Sequence, residues 1–318
     1  MKTIAHYNIL ERLGTGALGD VYRARDLKVG RTVALMVPPA DLIAGAERRR
    51  RFLEQARAAQ ALNHPNIATL FDVVEEGDQC YLAYEFAAGP SLRDEMAGRS
   101  VNMRRAIELG AQIGDAIAEG HSRRLIHGDL RPDTIVVTPK GSAKILNFGL
   151  AEWTTSGQAR KAAATAEGLG ADAHGVAGYL SPEQALGGAI DERSDIFSFG
   201  VMLQEMLSGR NPFAGPTPDA TVMNIVRATP QKLSSNLPPE LGALVARCLT
   251  KSVDARPSGA LAVSSELRRI AATLDARERE IELPPTPRTA AGSGSAGWIV
   301  GAVVLAALAA ISWYVWGT

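Results

Sequence analysis

The strongest constraint on this chain lies near its C-terminal end. Arg288 is the last charged residue, and Trp298–Trp316 (WIVGAVVLAALAAISWYVW) is an apolar run of 19 residues. At about 1.5 Å per residue such a run makes a helix of about 28 Å, enough to cross a hydrocarbon core. Trp298 stands at one end and Trp313, Tyr314 and Trp316 at the other, where interfacial aromatic side chains belong. A helix of a soluble core would carry a polar stripe, and only Ser312 interrupts this one. The run therefore predicts one transmembrane helix over 298–316. Arg279 and Arg288 precede it and no charge follows, which places the N-terminal body on the cytoplasmic side. Met1–Leu10 lacks the apolar stretch of a signal peptide, in keeping with that orientation. Gly297 and Gly301, continued by Ala302, Ala306 and Ala310, would let two such helices approach closely and dimerise, although an alanine-rich span does not itself require a partner.

Upstream, residues 276–297 form a linker whose second part, LPPTPRTAAGSGSAG, is rich in Pro, Gly and Ser. The body before it is well suited to folding, because the chain is 46% hydrophobic and 21% charged. Its 34 basic and 34 acidic residues cancel, which argues against a nucleic-acid binder, since counterion release needs a basic surplus. Cys80 and Cys248 are the only cysteines and share no metal-ligand spacing, so no metal site is expected and buried thiols in a reducing compartment are.

Short β-rich runs occupy the first part of the body, at 7–13, 20–25, 32–37, 69–75 and 79–86, broken by one helical pattern at 46–62. Helical patterns dominate afterwards, at 102–122, 194–208, 217–227, 239–249 and 258–275. The outline is an α+β body with a small β-rich lobe over residues 1–88 and a larger helical lobe over 89–275.

The first turn reads Gly14-Thr15-Gly16-Ala17-Leu18-Gly19, and Val21-Tyr22-Arg23 continues as a strand, where a dinucleotide fingerprint would need a helix. Asn63-His64-Pro65-Asn66-Ile67, His127-Gly128-Asp129-Leu130-Arg131-Pro132, Asn147-Phe148-Gly149, Ser181-Pro182-Glu183, Asp195-Ile196-Phe197-Ser198-Phe199-Gly200 and Arg256-Pro257 follow in order. This series resembles a bacterial-type Ser/Thr protein kinase domain over about residues 5–272. The resemblance implies a bilobal fold and ATP-dependent phosphotransfer, so each catalytic position needs its own check.

Several of those positions depart from the family. Where the resemblance implies a phosphate-binding Lys there is Met36, and its Glu partner is Gln55. The metal-binding Asp is Asn147 and the second metal ligand is Thr134. The threonine that bonds the catalytic Asp is Val176, and the arginine that reads a phosphorylated activation loop is Gly128. Asp129, the base position, is retained; it serves residual catalysis or, more simply, bonds the backbone of its own loop. Arg23, Arg25, Lys28 and Arg31 are expected to be solvated and not to replace the missing Lys, and the Arg48–Arg51 run to be a solvated helix face rather than a docking patch. Thr154, Thr155, Ser156 and Thr165 are candidate acceptors for another kinase.

The nucleotide-contacting pattern is kept: Leu13, Val21, Ala34 and Val136 would sandwich adenine, Glu85 to Ala87 would supply hinge backbone, and Gly14, Gly16 and Gly19 would offer N–H groups to phosphate. The same apolar residues would equally complete a core between the lobes. The resulting expectation is a membrane-anchored pseudokinase, a scaffold or allosteric partner of a signalling protein such as an active kinase. Two alternatives stay open, a weakly active kinase with unusual ligation and a nucleotide-sensing switch without chemistry. ATP would bind weakly and without metal, and Mg²⁺ would not be held.

Overall fold

The computed structural model describes residues 3–16, 18–154 and 174–282. The chain divides into two units, Met1–Thr273 and Leu274–Thr318. The first opens with an antiparallel sheet of six strands: β1 (Thr3–Ile4), β2 (Tyr7–Gly16), β3 (Gly19–Asp26), β4 (Thr32–Val37), β5 (Leu70–Glu76) and β6 (Gln79–Glu85), in the order β1-β2-β3-β4-β6-β5. Helix α1 (Ala46–Ala59) follows β4 and lies on one face of the sheet.

The alternation within β4 explains how the sheet is used. Val33 and Leu35 join Tyr7, Ala24 and Ala83 in an outer cluster. Met36, with Ala34 packed beside it, belongs to a second cluster built from Phe52, Leu53, Ala56 and Ala59 of α1, Leu82 and Tyr84 of β6, and Leu150 and Trp153 from beyond the sheet. Each of these large apolar side chains, fully covered, contributes about 1.5–3 kcal/mol.

The helical lobe begins with α2 (Leu92–Met96) and α3 (Met103–Ser122), whose N-terminus is capped by the Asn102 side chain. The hairpin β7 (Ile135–Val137) and β8 (Ala143–Ile145) carries the strands nearest the sheet. Six further helices follow among the described residues: α4 (His174–Ala177), α5 (Pro182–Ala185), α6 (Glu192–Ser208), α7 (Pro218–Arg227), α8 (Pro239–Cys248) and α9 (Ala260–Glu282). Helix α6 is buried all round from Ser194 to Met206, in keeping with a sequence that is apolar over most of Ile196–Leu203 and has no polar stripe. Helix α9 runs to Glu282, beyond residue 275 where the sequence pattern ended the lobe, so residues 276–282 of the predicted linker are helical. Both cysteines are free and buried, and burial pushes their thiols up, to about 11 for Cys80 and about 12 for Cys248.

Asn66 ties the two lobes together. Its side-chain amide donates to Gln112 Oε1 at 3.0 Å and to the Ala143 carbonyl at 2.8 Å, while Ile67 bridges Ile145. Among the described residues no helix is long and apolar enough to cross a membrane. The predicted span 298–316, and the linker from residue 283, lie outside the described residues.

Candidate functional site

A cavity of about 560 Å³ lies between the lobes. The predicted residues Leu13, Gly16, Val21, Ala34, Met36, Glu85, Ala87, Val136, Thr134, Asn147 and Val176 all line it. Gly14, Gly19, Gln55, Gly128 and Asp129 do not.

Gly19 has a structural role in the hairpin. Its φ is +126°, and a Cβ there would stand 2.3 Å from the Val37 carbonyl oxygen, so the hairpin of β2 and β3 rests on β4 at this point. Gly16 and Gly19 pair with each other, which carries the β2–β3 ladder to the turn.

Met36 is 5% exposed and packed into the α1 cluster, with no donor to offer a phosphate. Gln55 is not opposite it in a polar pair. Its Oε1 accepts the Trp153 indole N–H at 2.6 Å and its Nε2 donates to Glu152 Oε2 at 3.1 Å. Arg51, one residue round from Phe52, holds the other Glu152 oxygen at 2.7 Å. Phe52 meets the Trp153 ring edge to face at 5.2 Å, and Arg48 lies over that ring. Helix α1 is thereby fastened to the 3₁₀ turn Ala151–Trp153 that follows Asn147-Phe148-Gly149. Glu54 is exposed and pairs with Arg50, which leaves no inward acid in this helix at 54 or 55.

The same turn explains Gly128. Its φ is +67°, and a Cβ on it would lie 2.6 Å from the Ala151 Cβ, so the 3₁₀ turn occupies the space an arginine stem would need. Its N–H donates to Asp195 Oδ1 at 2.7 Å and its carbonyl accepts from Gln184 at 2.8 Å. Asp195 also takes the His127 N–H and the His121 Nε2, both at 2.8 Å, fixing the loop from below.

Asp129 is 4% exposed, and its Oδ1 lies 3.1 Å from Arg131 Nε. A guanidinium of its own loop thus holds this oxygen. Arg131 reaches on to Asp133 at 3.0 Å, and Asp133 meets an Arg93 nitrogen that also donates to the Tyr179 hydroxyl at 2.6 Å, while the other terminal nitrogen of Arg93 reaches Glu205 at 2.9 Å. Thr134 is buried, with its hydroxyl donating to the Arg131 carbonyl at 2.9 Å and accepting the Arg131 N–H at 3.2 Å. It is thus committed to its own loop. Asn147 sits in the left-handed region, φ +59°, which asparagine tolerates well, and faces the cavity as a neutral amide.

No other basic group takes the place of the missing Lys among the described residues. Arg23 pairs with Glu11 at 2.9 Å and lies over the Phe86 ring, and Arg31 stacks on Phe71 with its guanidinium carbon 3.6 Å from the centroid. The Arg48–Arg51 run is engaged throughout: Arg48 on the Leu42 carbonyl, Arg49 on Gly77, Arg50 on Glu47 and Arg51 on Glu152. Thr154 is fully buried and donates to the Ala151 carbonyl, so it is not an accessible acceptor; Thr155, Ser156 and Thr165 lie outside the described residues.

Arg131, Glu152 and Trp153 are the residues the sequence did not single out. Arg131 stood in plain sight two positions after Asp129. Glu152 and Trp153 are about a hundred residues from Gln55, and no spacing rule links them.

The core of the helical lobe keeps its buried ion pair. Arg256, with its side chain fully covered, donates to both Glu183 oxygens at 2.8 Å. Burial alone raises the Glu183 carboxyl, but Arg256 and the Ser194 hydroxyl outweigh it and hold it down to about 2.

Comparison with known proteins bears on this geometry. Residues 7–267 match the protein kinase domain family. The chain is 34% identical over 278 residues to the serine/threonine-protein kinase pkn2 of Myxococcus xanthus, covering 85% of this chain and 33% of that protein. It is 35% identical over 272 residues to PknB of Mycolicibacterium smegmatis, covering 83% and 43%. It is 34% identical over 253 residues to PknA of Mycobacterium tuberculosis, covering 77% and 57%. The chain thus spans well under two thirds of the length of these relatives. In fold it resembles the crystal structure of the Mycobacterium tuberculosis PknI kinase domain, with a TM-score of 0.64, 23% identity, and 85% of this chain and 97% of that one covered.

Proposed function

The chain belongs to the protein kinase domain family, and on that premise we propose that it is a membrane-anchored pseudokinase, a scaffold or allosteric regulator of a signalling protein at the cytoplasmic face. The observation that carries the reading is the state of the phosphate side of the cavity. Met36 is packed into an apolar cluster, Gln55 is engaged by Trp153 and Glu152, and Asn147 is neutral where a metal needs anionic oxygen. Removing one preorganised electrostatic group from an active site lowers the rate about 10²–10³-fold. Two such losses leave little of a kinase turnover of about 1–100 s⁻¹, even with strong non-additivity.

The retained Asp129–Arg131 pair is the observation that favours the second reading, a weakly active kinase. Full-length protein in detergent micelles, given ATP labelled in the γ position with Mg²⁺ or Mn²⁺, decides between them. The pseudokinase transfers no label to itself or to a generic Ser/Thr substrate beyond the Asp129→Asn background. Turnover that Asp129→Asn abolishes refutes it. For the anchor, deletion of residues 298–316 should move the protein from the carbonate-resistant membrane fraction to the soluble one.

A further inference from the structure

Every charged side chain lining the interlobe cavity already has a partner from the protein. Glu85 holds Lys144 at 2.6 Å. Arg131 lies between Asp129 at 3.1 Å and Asp133 at 3.0 Å, and Asp133 also meets Arg93 at 3.1 Å. The lining contains two acids, Glu85 and Asp133, against one base, Arg131. Lys144, Arg131 and Arg93 answer these acids, so among the described residues the lining has no cation left over for a phosphate. A metal would not repair this, because Asn147 is neutral and the Thr134 hydroxyl is turned to the Arg131 carbonyl.

The rest of the wall suits a different ligand. Leu13, Val21, Ala34, Met36, Val136 and Leu146 make two apolar faces. Phe86 and Ala87 follow Glu85, the last residue of β6 to pair with β4, so their peptide groups are not committed to that ladder. Tyr84 closes part of the wall, and its buried hydroxyl has no hydrogen-bond partner among the described residues. Such a donor gains from an acceptor brought by a ligand. A volume of about 560 Å³ is in the range of small-molecule sites.

We propose that the cavity takes an uncharged planar heterocycle of nucleoside size in preference to its phosphorylated forms. The ligand lies flat between the apolar faces and hydrogen-bonds to the backbone of residues 86–87, while each added phosphate finds no uncommitted cation. The inference rests on the pseudokinase reading and adds to it the chemical class of the ligand and a reversed order of affinity.

Adenosine, ADP and ATP serve as probes, titrated calorimetrically into the full-length protein in detergent micelles, each with EDTA and with Mg²⁺. Adenosine is expected to bind at least as tightly as ADP, and ADP at least as tightly as ATP, with less than a twofold effect of Mg²⁺ on any of them. Ala34→Leu and Val136→Phe, which fill the space between the two faces, should each weaken adenosine at least tenfold, with the melting temperature checking that both fold. ATP bound tenfold or more tighter than adenosine overturns the proposal, as does adenosine binding that survives both substitutions or is undetectable at millimolar concentration. Tight ATP binding without phosphotransfer would sink this inference and leave the pseudokinase standing; phosphotransfer would sink the pseudokinase itself.

Discussion

Gln55→Glu restores the residue type that the kinase pattern has at this position, and the structure predicts that the change harms this protein. In the native arrangement the Gln55 carbonyl accepts from Trp153 and its amide donates to Glu152 at 3.1 Å. A glutamate keeps the first bond and strengthens it by charge, but it loses the donor and sets a second carboxylate about 3 Å from Glu152. Two unit charges at about 4 Å and an effective dielectric near 20 repel by roughly 4 kcal/mol. Arg51, 2.7 Å from Glu152, offsets part of this, and solvent screens a half-buried position further. The net destabilisation is about 1–3 kcal/mol, which lowers the melting temperature by roughly 3–10 °C in a domain of this size. The deficit should shrink as pH falls toward about 5, because one of two facing carboxyls protonates early and becomes a donor. Gln55→Ala, which removes both bonds but adds no charge, should show a smaller deficit with no such pH dependence. Differential scanning fluorimetry of the three proteins between pH 5 and 8 makes the comparison, with hydrogen exchange of residues 150–154 reporting the fastening directly. A Gln55→Glu protein that melts with the wild type at pH 7.5, or whose deficit grows on acidification, refutes the argument.

Gly128→Arg should also destabilise, by about 1–3 kcal/mol, since it forces a side chain into the left-handed region and onto Ala151; the urea midpoint measures it. The Glu183 carboxyl, depressed to about 2 in the folded state from an ordinary value of 4.5, contributes stability that is complete above about pH 4.5. That contribution, on the order of 3 kcal/mol, is lost as pH falls from about 4.5 to about 2, and Glu183→Gln should flatten this part of the urea midpoint's pH profile. Cys80 and Cys248 should stay unalkylated by iodoacetamide at pH 8 in the native protein and react on unfolding, because both are covered and their thiols are raised to about 11 and about 12.

The regular elements were legible because their signals are local. Thr32–Val37 was predicted to the residue, and the first four helices predicted from 102 onward lie within two positions of the observed ones, because alternation, caps and apolar stripes act within a few residues; the fifth runs seven residues past its expected end, and the one-turn helices His174–Ala177 and Pro182–Ala185 were not predicted. Strand β1 and the strands β7 and β8 were missed, being two and three residues long with no room for a period to show. At the site, motif order brought the cavity residues together correctly. What the motifs could not convey is where the substituted side chains turn. Gln55 was read against Met36, its neighbour by pattern, yet its partners are Glu152 and Trp153, a choice settled by packing between segments distant in the chain. Gly128 was read as a lost arginine, and only the approach of Ala151 shows that the space itself has been filled.

The fastening of α1 to the 3₁₀ turn and the anchoring of Asn66 and Ile67 to Gln112, Ala143 and Ile145 act at two separated points on the same boundary. One point alone would leave a pivot; two leave only rotation about the line that joins them. A swing of the small lobe about any other axis would have to break the Trp153 indole bond or the Asn66 pair of bonds. A binding partner therefore meets two lobes whose relative motion is confined to that one line.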